Sequence, residues 1–220
     1  MSSRRPSPLG GAKPTREDLA RFAAARPDDL DDVLPAPGAP VRLLIVGINP
    51  GLWTAAVNAP FAHPGNRFWP SLQRAGILDR RIDASRGLDA ADEQEILGRG
   101  IAMTNLVARP TARADELSRE ELREGGRTLV ARVREMRPRA VAVVGITAFR
   151  TAFSVPRARM GRQDAAEVAG WPQGSALWVL PQPSGLNAHE TVDSLAAHWR
   201  AVWEAVPAPS DPAPSDQEEP

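Results

Sequence analysis

An α/β fold built on a mostly parallel sheet is predicted by three features of the 220-residue sequence. Short apolar runs that are typical of buried strands alternate with segments of helical periodicity. Glycine and proline mark the boundaries between the two kinds of segment. Because strands separated by helices connect through right-handed crossovers, the strands should lie parallel, with helices on both faces of the sheet. The length suits one globular domain.

Four strands are predicted, each from a mainly apolar run that is too short for a buried helix. In open parallel sheets, ligands bind beyond the carboxyl ends of the strands. The segments that follow the strands are therefore the first places to look for chemistry. The predicted strands cover residues 41–48, 100–107, 140–146 and 176–182.

Helices are predicted between and after these strands. Thr15 is a candidate N-cap for the first helix. Ser118 and Glu121 have the spacing of a capping box, and the helix that follows should end before Pro138. The predicted helices lie within residues 15–30, 66–75, 118–136 and 192–203.

The chain divides into four segments by composition. Residues 1–14 form a basic tail and residues 207–220 an acidic, proline-rich tail. Both tails have too few apolar residues to offset the entropy of ordering, so both are predicted to be disordered. Residues 15–40 provide an N-terminal helix and an irregular lead-in, and residues 41–206 form the folded domain.

Composition excludes several classes of site. The sequence has no cysteine, which excludes disulfides, thiolate metal sites and a cysteine nucleophile. Its single lysine, Lys13, excludes a Walker A loop and argues against Schiff-base chemistry. His63, His189 and His198 have no metal-ligand spacing. We therefore expect no metal and no cofactor.

Charge and hydropathy give weaker indications. The formal net charge is zero, so any contact with nucleic acid must come from local features. No apolar run is long enough to span a membrane. The absence of cysteine fits a reducing compartment, and we expect a cytoplasmic protein, in the cytosol or nucleoid of a bacterium.

The first strand ends in Gly47-Ile48-Asn49-Pro50-Gly51-Leu52. The glycines and the proline predict a stiff, tight turn that lets backbone approach a ligand. Asn49 would project from the strand end with both a donor and an acceptor. The alternative interpretation is an ordinary asparagine-capped turn.

The fourth strand ends in a second stiff loop, PQPSGLN, with Leu186 at its tip. An exposed leucine there could act as a wedge between stacked bases. In the alternative interpretation, Leu186 packs back on the domain. Residues 60–69 (PFAHPGNRFW) add an aromatic side chain, Phe61, that could form one wall of a pocket for a flat ring.

The motifs GINPGL, FAHPGNRFW and WVLPQPSGL occur in this order within residues 33–203. Together with TNLV and RPT after the second strand, they resemble the mismatch-specific uracil-DNA glycosylase / thymine-DNA glycosylase family of the uracil-DNA glycosylase superfamily. The resemblance implies a uracil-DNA glycosylase-like, three-layer α/β/α sandwich around a central, mostly parallel sheet of four to five strands. It also implies a monofunctional DNA glycosylase that flips and hydrolytically excises uracil, and as further candidates thymine or etheno-cytosine, opposite guanine. The product would be an abasic site for base excision repair.

The resemblance also implies roles in the base pocket. Asn49 would hold the hydrolytic water, and Phe61 would stack on the flipped base. Backbone groups near Ile48 and Phe61 would bond the base edge. Gln182 would belong to the same pocket, where bacterial members of the family often have asparagine.

A second set of implied roles concerns the duplex. Gly185, Leu186 and Asn187 would fill the vacated space and meet the orphaned guanine. Bacterial members often have Ser-Arg where Asn187-Ala188 stands, so this chain lacks that arginine. Apart from the resemblance, Ser184 and an arginine segment flanked by glycine and proline could contact phosphates, which position a protein on DNA. The alternative interpretation of the arginine segment is an ordinary solvated surface. The arginines of this segment are Arg157, Arg159 and Arg162.

Two other functions remain open. A Rossmann-like nucleotide-binding protein would need a GxGxxG turn, which GINPG is not. A non-catalytic module that binds mismatches or damage would not need Asn49. The expected partner is double-stranded DNA containing G·U or related mismatches, and we expect a monomer, because one lesion needs one pocket. We expect the acids Asp83, Asp89, Asp92 and Glu93 to lie on a solvated surface, and the sequence leaves open whether one of them assists catalysis.

Overall fold

The structure, a computed structural model, describes residues 7–23 and 30–207. Its centre is a five-stranded sheet with the strand order β2-β1-β3-β5-β4. The three pairings that join β2, β1, β3 and β5 are parallel, and β4 pairs antiparallel with β5 at one edge. The strands are β1 (Leu43–Gly47), β2 (Ile101–Asn105), β3 (Ala140–Val144), β4 (Gly161–Arg162) and β5 (Ala176–Leu180).

Seven α-helices are assigned in the described residues. Four of them, α2, α3, α4 and α7, contribute to the apolar cluster on one face of the sheet. The other face is covered by α5 and α6. The helices are α1 (Arg16–Phe22), α2 (Leu52–Val57), α3 (Phe68–Arg74), α4 (Ala90–Gly98), α5 (Arg119–Met136), α6 (Ile146–Ala152) and α7 (Val192–Ala205).

The two faces of β1 show how the layers form. Leu43 and Ile45 belong to one apolar cluster, whereas Leu44 and Val46 belong to the other. Successive side chains of a strand point to opposite faces, so a strand buried on both sides must be apolar at every position. The predicted three-layer α/β/α fold is therefore confirmed.

The predicted strands and capped helices occur where the sequence indicated, with strand ends trimmed by at most two residues. Thr15 caps α1, and the Ser118–Glu121 capping box begins α5. The sequence reasoning missed α2, α4, α6 and the two-residue strand β4. Of the predicted tails, residues 1–6 and 208–220 lie outside the described residues, so the disorder of the tails stays a prediction.

The expectation of a solvated acidic surface is wrong for Asp92. Asp89 and Asp92 form the capping box of α4, and Asp92 is only 6% exposed. Its Oδ1 accepts a hydrogen bond of 2.6 Å from Arg80. The first N–H groups of a helix have no partner within the helix, and side-chain oxygens such as those of Asp89 and Asp92 can accept from them. Because this end of α4 packs into the protein, Asp92 is buried with it.

Helix α5 lies directly on backbone because it carries a glycine pair. A Cβ at Gly125 would lie 2.2 Å from the carbonyl oxygen of Leu106, and one at Gly126 would lie 2.5 Å from that of Ala152. Any side chain would push the helix away. The segment that follows β2 is therefore seated against the helix without an intervening side chain. In residues 7–23 and 30–207, no helix is long and apolar enough to cross a membrane.

Candidate active site

The carboxyl ends of the parallel strands open into one cleft of about 1780 Å³. Small-molecule pockets usually measure roughly 300–1,000 Å³, so this cleft has room beyond a single base. It is lined by every residue that the sequence predicted for the site: Ile48, Asn49, Phe61, Gln182, Ser184, Gly185, Leu186 and Asn187.

Asn49, in the turn after β1 (residues 47–52, the β1 turn), is fixed through its amide nitrogen. Its Nδ2 donates to the carbonyl oxygen of Arg109 at 2.9 Å and to Oγ1 of Thr111 at 2.7 Å. The Thr111 hydroxyl in turn donates to the carbonyl oxygen of Arg113, so it must accept from Asn49. Both amide hydrogens are used, and Oδ1 has no hydrogen-bond partner among the described residues. This oxygen is left as an acceptor.

The segment that holds Asn49 is itself anchored to α5. The Arg109 guanidinium donates to both carboxylate oxygens of Glu121, with the shorter Nε–Oε1 distance at 2.7 Å. Glu121 also accepts from the backbone N–H of Ser118. The hydrogen bond from Arg109, helped by that from Ser118, lowers the pKa of Glu121 to about 2. Glu121 lines the cleft but stays ionised at neutral pH, so it is unsuited to act as a general acid.

Phe61 and Phe68 form a stacked pair, the phenylalanine platform. Their ring centroids lie 3.8 Å apart, with an angle of 20° between the planes. Phe68 is fully buried and meets Trp69 and Trp199 edge-on, so it is a rigid support. Phe61 lines the cleft with a positive φ of 53°, an uncommon backbone conformation for a bulky residue. With one face of its ring covered by Phe68, the other is available to a flat ligand.

Asn105 is a site residue that the sequence reasoning missed. It is the last residue of β2, directly beside Gly47 in the parallel register. A Cβ at Gly47 would lie 2.4 Å from Oδ1 of Asn105 and 3.7 Å from Cζ of Phe61. Only glycine lets this carboxamide reach across β1 toward the platform. The available signal was its position at the carboxyl end of a strand that neighbours β1.

A second glycine leaves room for the residues that follow β1 and β5 to lie close together. Gly145, which follows β3, has a φ of 111°. A Cβ there would lie 2.9 Å from Cδ1 of Ile48 and 3.6 Å from Cγ of Gln182. Ile48 and Gln182 therefore lie side by side at the end of β3, as the prediction of one shared pocket requires.

The loop after β5 (residues 183–187, the wedge loop) packs backbone against backbone on the segment before α3. The N–H of Arg67 donates to the carbonyl oxygen of Pro183 at 2.9 Å, and a Cβ at Gly185 would lie 2.5 Å from the carbonyl oxygen of Gly65. Leu186 at the tip is 93% exposed. It does not pack back on the domain, so that alternative is wrong.

Hydrogen bonds within the wedge loop fix its shape. The Ser184 hydroxyl accepts from the N–H of Leu186, which leaves its own hydrogen free to donate. The Asn187 amide donates to the carbonyl oxygen of Gln182 at 3.1 Å and accepts from the N–H of His189 at 3.2 Å. The Asn187 side chain is thus already committed within the loop.

The sequence model of the Uracil DNA glycosylase superfamily matches residues 36–206, which include the sheet, the β1 turn and the wedge loop. The chain belongs to the uracil-DNA glycosylase superfamily. This membership makes the protein a DNA glycosylase, an enzyme that hydrolyses the bond between a base and its sugar, with uracil as the general substrate. It also overturns the Rossmann-like alternative.

Five acids line the cleft of this glycosylase: Asp31, Asp32, Asp115, Glu121 and Glu124. None of the four acids in question lines it: Asp83, Asp89, Asp92 and Glu93. Among residues 7–23 and 30–207, no group of three or more His, Cys, Asp or Glu side chains could hold a metal ion.

Proposed function

We propose that this glycosylase is monofunctional and mismatch-specific, and that it excises uracil opposite guanine in double-stranded DNA. Thymine and etheno-cytosine opposite guanine are the further candidate substrates. The observation that carries the proposal is the Asn49 carboxamide, held through both amide hydrogens so that Oδ1 is left to accept a hydrogen bond. The GINPGL and FAHPGNRFW motifs support this branch of the superfamily.

The first step is extrusion of the base. Flipping costs a few kcal/mol and costs least at a weakened pair such as a G·U wobble. Leu186, exposed at the tip of the wedge loop, fills the vacated space and slows the return of the base. The extruded ring stacks on Phe61, because Phe68 already covers the other face of that side chain.

In the second step, water attacks the sugar carbon and the bond to the base breaks. The base leaves with the bonding electrons as a delocalised anion, through a transition state with oxocarbenium character. Asn49 cannot take a proton, so it contributes by orienting the water. The proton that the attacking water loses is taken up by the departing base, directly or through solvent. The carbonyl of Ile48 accepts from the N–H of Val107 at 2.9 Å, and N–H groups of the β1 turn, together with the side-chain amides of Asn105 and Gln182, would stabilise the anion. Such a site should act slowly, and only on bases that are good leaving groups.

Two carboxamides suit recognition of the base edge. Asn105 and Gln182 both line the cleft beside the platform, and each offers a donor and an acceptor. The edge of uracil presents both kinds of group. We propose that these residues read the base, while Ser184 and the exposed arginines at 157, 159 and 162 contact phosphates.

The sole lysine supports hydrolysis without strand cleavage. Lys13 does not line the cleft, so it offers no amine for a Schiff base with the opened sugar. In a labelled G·U duplex, strand breaks should appear only after alkali treatment. Breaks before alkali would contradict monofunctional chemistry.

The test of Asn49 is its replacement by alanine. In Asn49→Ala, single-turnover excision should fall by about 100-fold or more, as loss of positioning predicts. Binding to a duplex that carries an abasic-site analogue should stay unchanged. Gln73→Ala, which removes an exposed amide on α3, is the matched control.

The same assay separates the enzyme from a non-catalytic mismatch-binding module. Tight binding of the native protein to G·U duplex without any release of uracil would support the binding module and exclude our proposal. The monomeric state and the cytoplasmic location stay predictions.

A further inference from the structure

The Arg67 side chain spans from the start of α3 to the wedge loop. Its Nη1 donates to the carbonyl oxygens of Asn187 at 2.9 Å and Ser184 at 3.3 Å, and its Nη2 donates to that of Gly185 at 3.3 Å. Three of the loop's carbonyls thus converge on one guanidinium. Arg67 forms no ion pair with a carboxylate among the described residues, whereas most paired arginines of this chain bind aspartate or glutamate.

This arrangement matters because, among the described residues, Arg67 is the side chain from another element that hydrogen-bonds the wedge loop, whose other side-chain hydrogen bonds lie within residues 182–189. Leu186 is almost fully exposed, so its burial does not stabilise the loop in the absence of DNA. A flexible loop would lose conformational entropy on entering a duplex, and that loss weakens binding. A planar guanidinium with five donors in a fixed fork can hold several carbonyls at once.

The other end of Arg67 is equally well fixed. Its carbonyl oxygen accepts from the N–H of Ser71 in the first turn of α3. The next residue, Phe68, is fully buried and supports the Phe61 ring. One residue therefore connects the phenylalanine platform with the wedge loop.

We propose that Arg67 is a positioning residue that holds the wedge loop in its duplex-entering shape, in register with the phenylalanine platform, before DNA binds. The proposal rests on the function proposed above. Arg67 does not touch the reacting atoms, and it acts through Leu186. An ammonium group has a single nitrogen and cannot reach three carbonyls in this geometry, so lysine should replace arginine only in part.

The first test needs no DNA. Millisecond hydrogen exchange of the free full-length chain should show the amides of residues 184–188 exchanging at least tenfold faster in Arg67→Met, with core strands unchanged. Arg67→Lys should be intermediate. Arg74→Met is the matched control, since it removes an exposed arginine from the same helix and should match the native protein. Unchanged exchange of the loop in Arg67→Met overturns the proposal, whatever the activity.

The second test uses two substrates. On G·U duplex, Arg67→Met should lower single-turnover excision at least tenfold. On uracil opposite an abasic-site analogue, where no pair needs to be opened, the loss should stay within twofold. Addition of Leu186→Ala to Arg67→Met should cause no further loss on G·U, because the wedge is already misplaced.

The outcomes are distinguishable from failure of the proposed function. Equal losses on both substrates would assign Arg67 to the platform and overturn its role in the wedge loop. If the native protein releases no base, the proposed function fails. The hydrogen-exchange result still tests whether Arg67 holds the wedge loop in place. If Arg67→Met does not fold, Arg67→Lys serves for both measurements, with a loss of threefold or more expected on G·U alone.

Discussion

The two sides of the cleft are built in opposite ways. On the β1 turn, Asn49 is half-buried and held by hydrogen bonds to a segment that rests on α5. On the wedge loop, Leu186 stands in solvent, while loop carbonyls and the Ser184 and Asn187 side chains are held by hydrogen bonds. Under the proposed function, the difference means that the bond-breaking side is complete in the free protein, whereas the pair-opening side makes its contacts only with DNA. Changes on the β1 side should therefore affect every substrate alike, and changes on the wedge side only paired ones.

After that of Asn49→Ala, the largest effect is expected at the platform, where Phe61 lies close to Gly47 of β1. Phe61→Ala removes the surface for base stacking, which is worth about 1–3 kcal/mol per base, so excision should fall by about 10- to 100-fold. The loss should be the same for G·U duplex and for an unpaired uracil in single-turnover assays. A loss confined to the duplex would indicate that Phe61 acts in opening the base pair, which is the role proposed for the wedge loop.

A smaller effect is expected on the wedge side. Leu186→Ala should slow excision by about tenfold from a G·U wobble and by more from an A·U pair, because the wobble is easier to open. An unpaired uracil should be excised at the native rate. Equal losses on all three substrates would contradict the wedge role.

Thr111 sharpens the comparison on the β1 side. Thr111→Val removes one acceptor of the Asn49 amide, and a hydrogen bond of this kind is worth about 0.5–1.5 kcal/mol net, so excision should fall by up to about tenfold on every substrate. Thr111→Ser keeps the hydroxyl and should restore the native rate. If serine fails to restore it, packing of the methyl group rather than the hydrogen bond is what matters.

The smallest effect concerns stability and pH. The pKa of Glu121 is lowered from 4.5 to about 2 in the folded state. Its contribution to the free energy of unfolding is therefore complete above pH 4.5 and is lost as the pH falls from 4.5 toward 2. Because Glu121 is a third exposed, that contribution should not exceed about 1 kcal/mol. Denaturant unfolding of Glu121→Gln should differ from the native protein at pH 7 and converge with it near pH 2, and a constant difference would contradict this account.

Much of the fold was predictable because local patterns agreed with the tertiary structure. Strand β1 is apolar at every position, and Ser118 with Glu121 marks the start of α5. Helix α2 was missed because it follows the β1 turn directly and has no side-chain cap. Helix α4 was missed because its polar sequence buries few apolar residues, chiefly Ile96, and so shows little amphipathic pattern. The strand β4 has two residues, too few for any periodicity.

The residues of the candidate site likewise divide into those that the sequence could predict and those that it could not. Asn49 and Leu186 were recognisable because each follows a strand in a stiff, distinctive loop. Asn105 and Arg67 were not, because their positions depend on contacts with residues that are remote in sequence. Asn105 needs the bare backbone of Gly47, and Arg67 meets carbonyls more than a hundred residues away along the chain. No local pattern encodes such contacts.

Under the proposed function, the exposure of Leu186 has a consequence for how lesions are found. An enzyme that must rearrange a loop at each site adds that step to every encounter, and most encounters are with intact pairs. Here Leu186 already projects from the protein surface, so we expect the rate at which each base pair opens to limit the rate of scanning. With a net charge of zero, the chain should also leave intact DNA quickly. Short binding events and an exposed Leu186 together favour a search that samples many base pairs over long residence at any one pair.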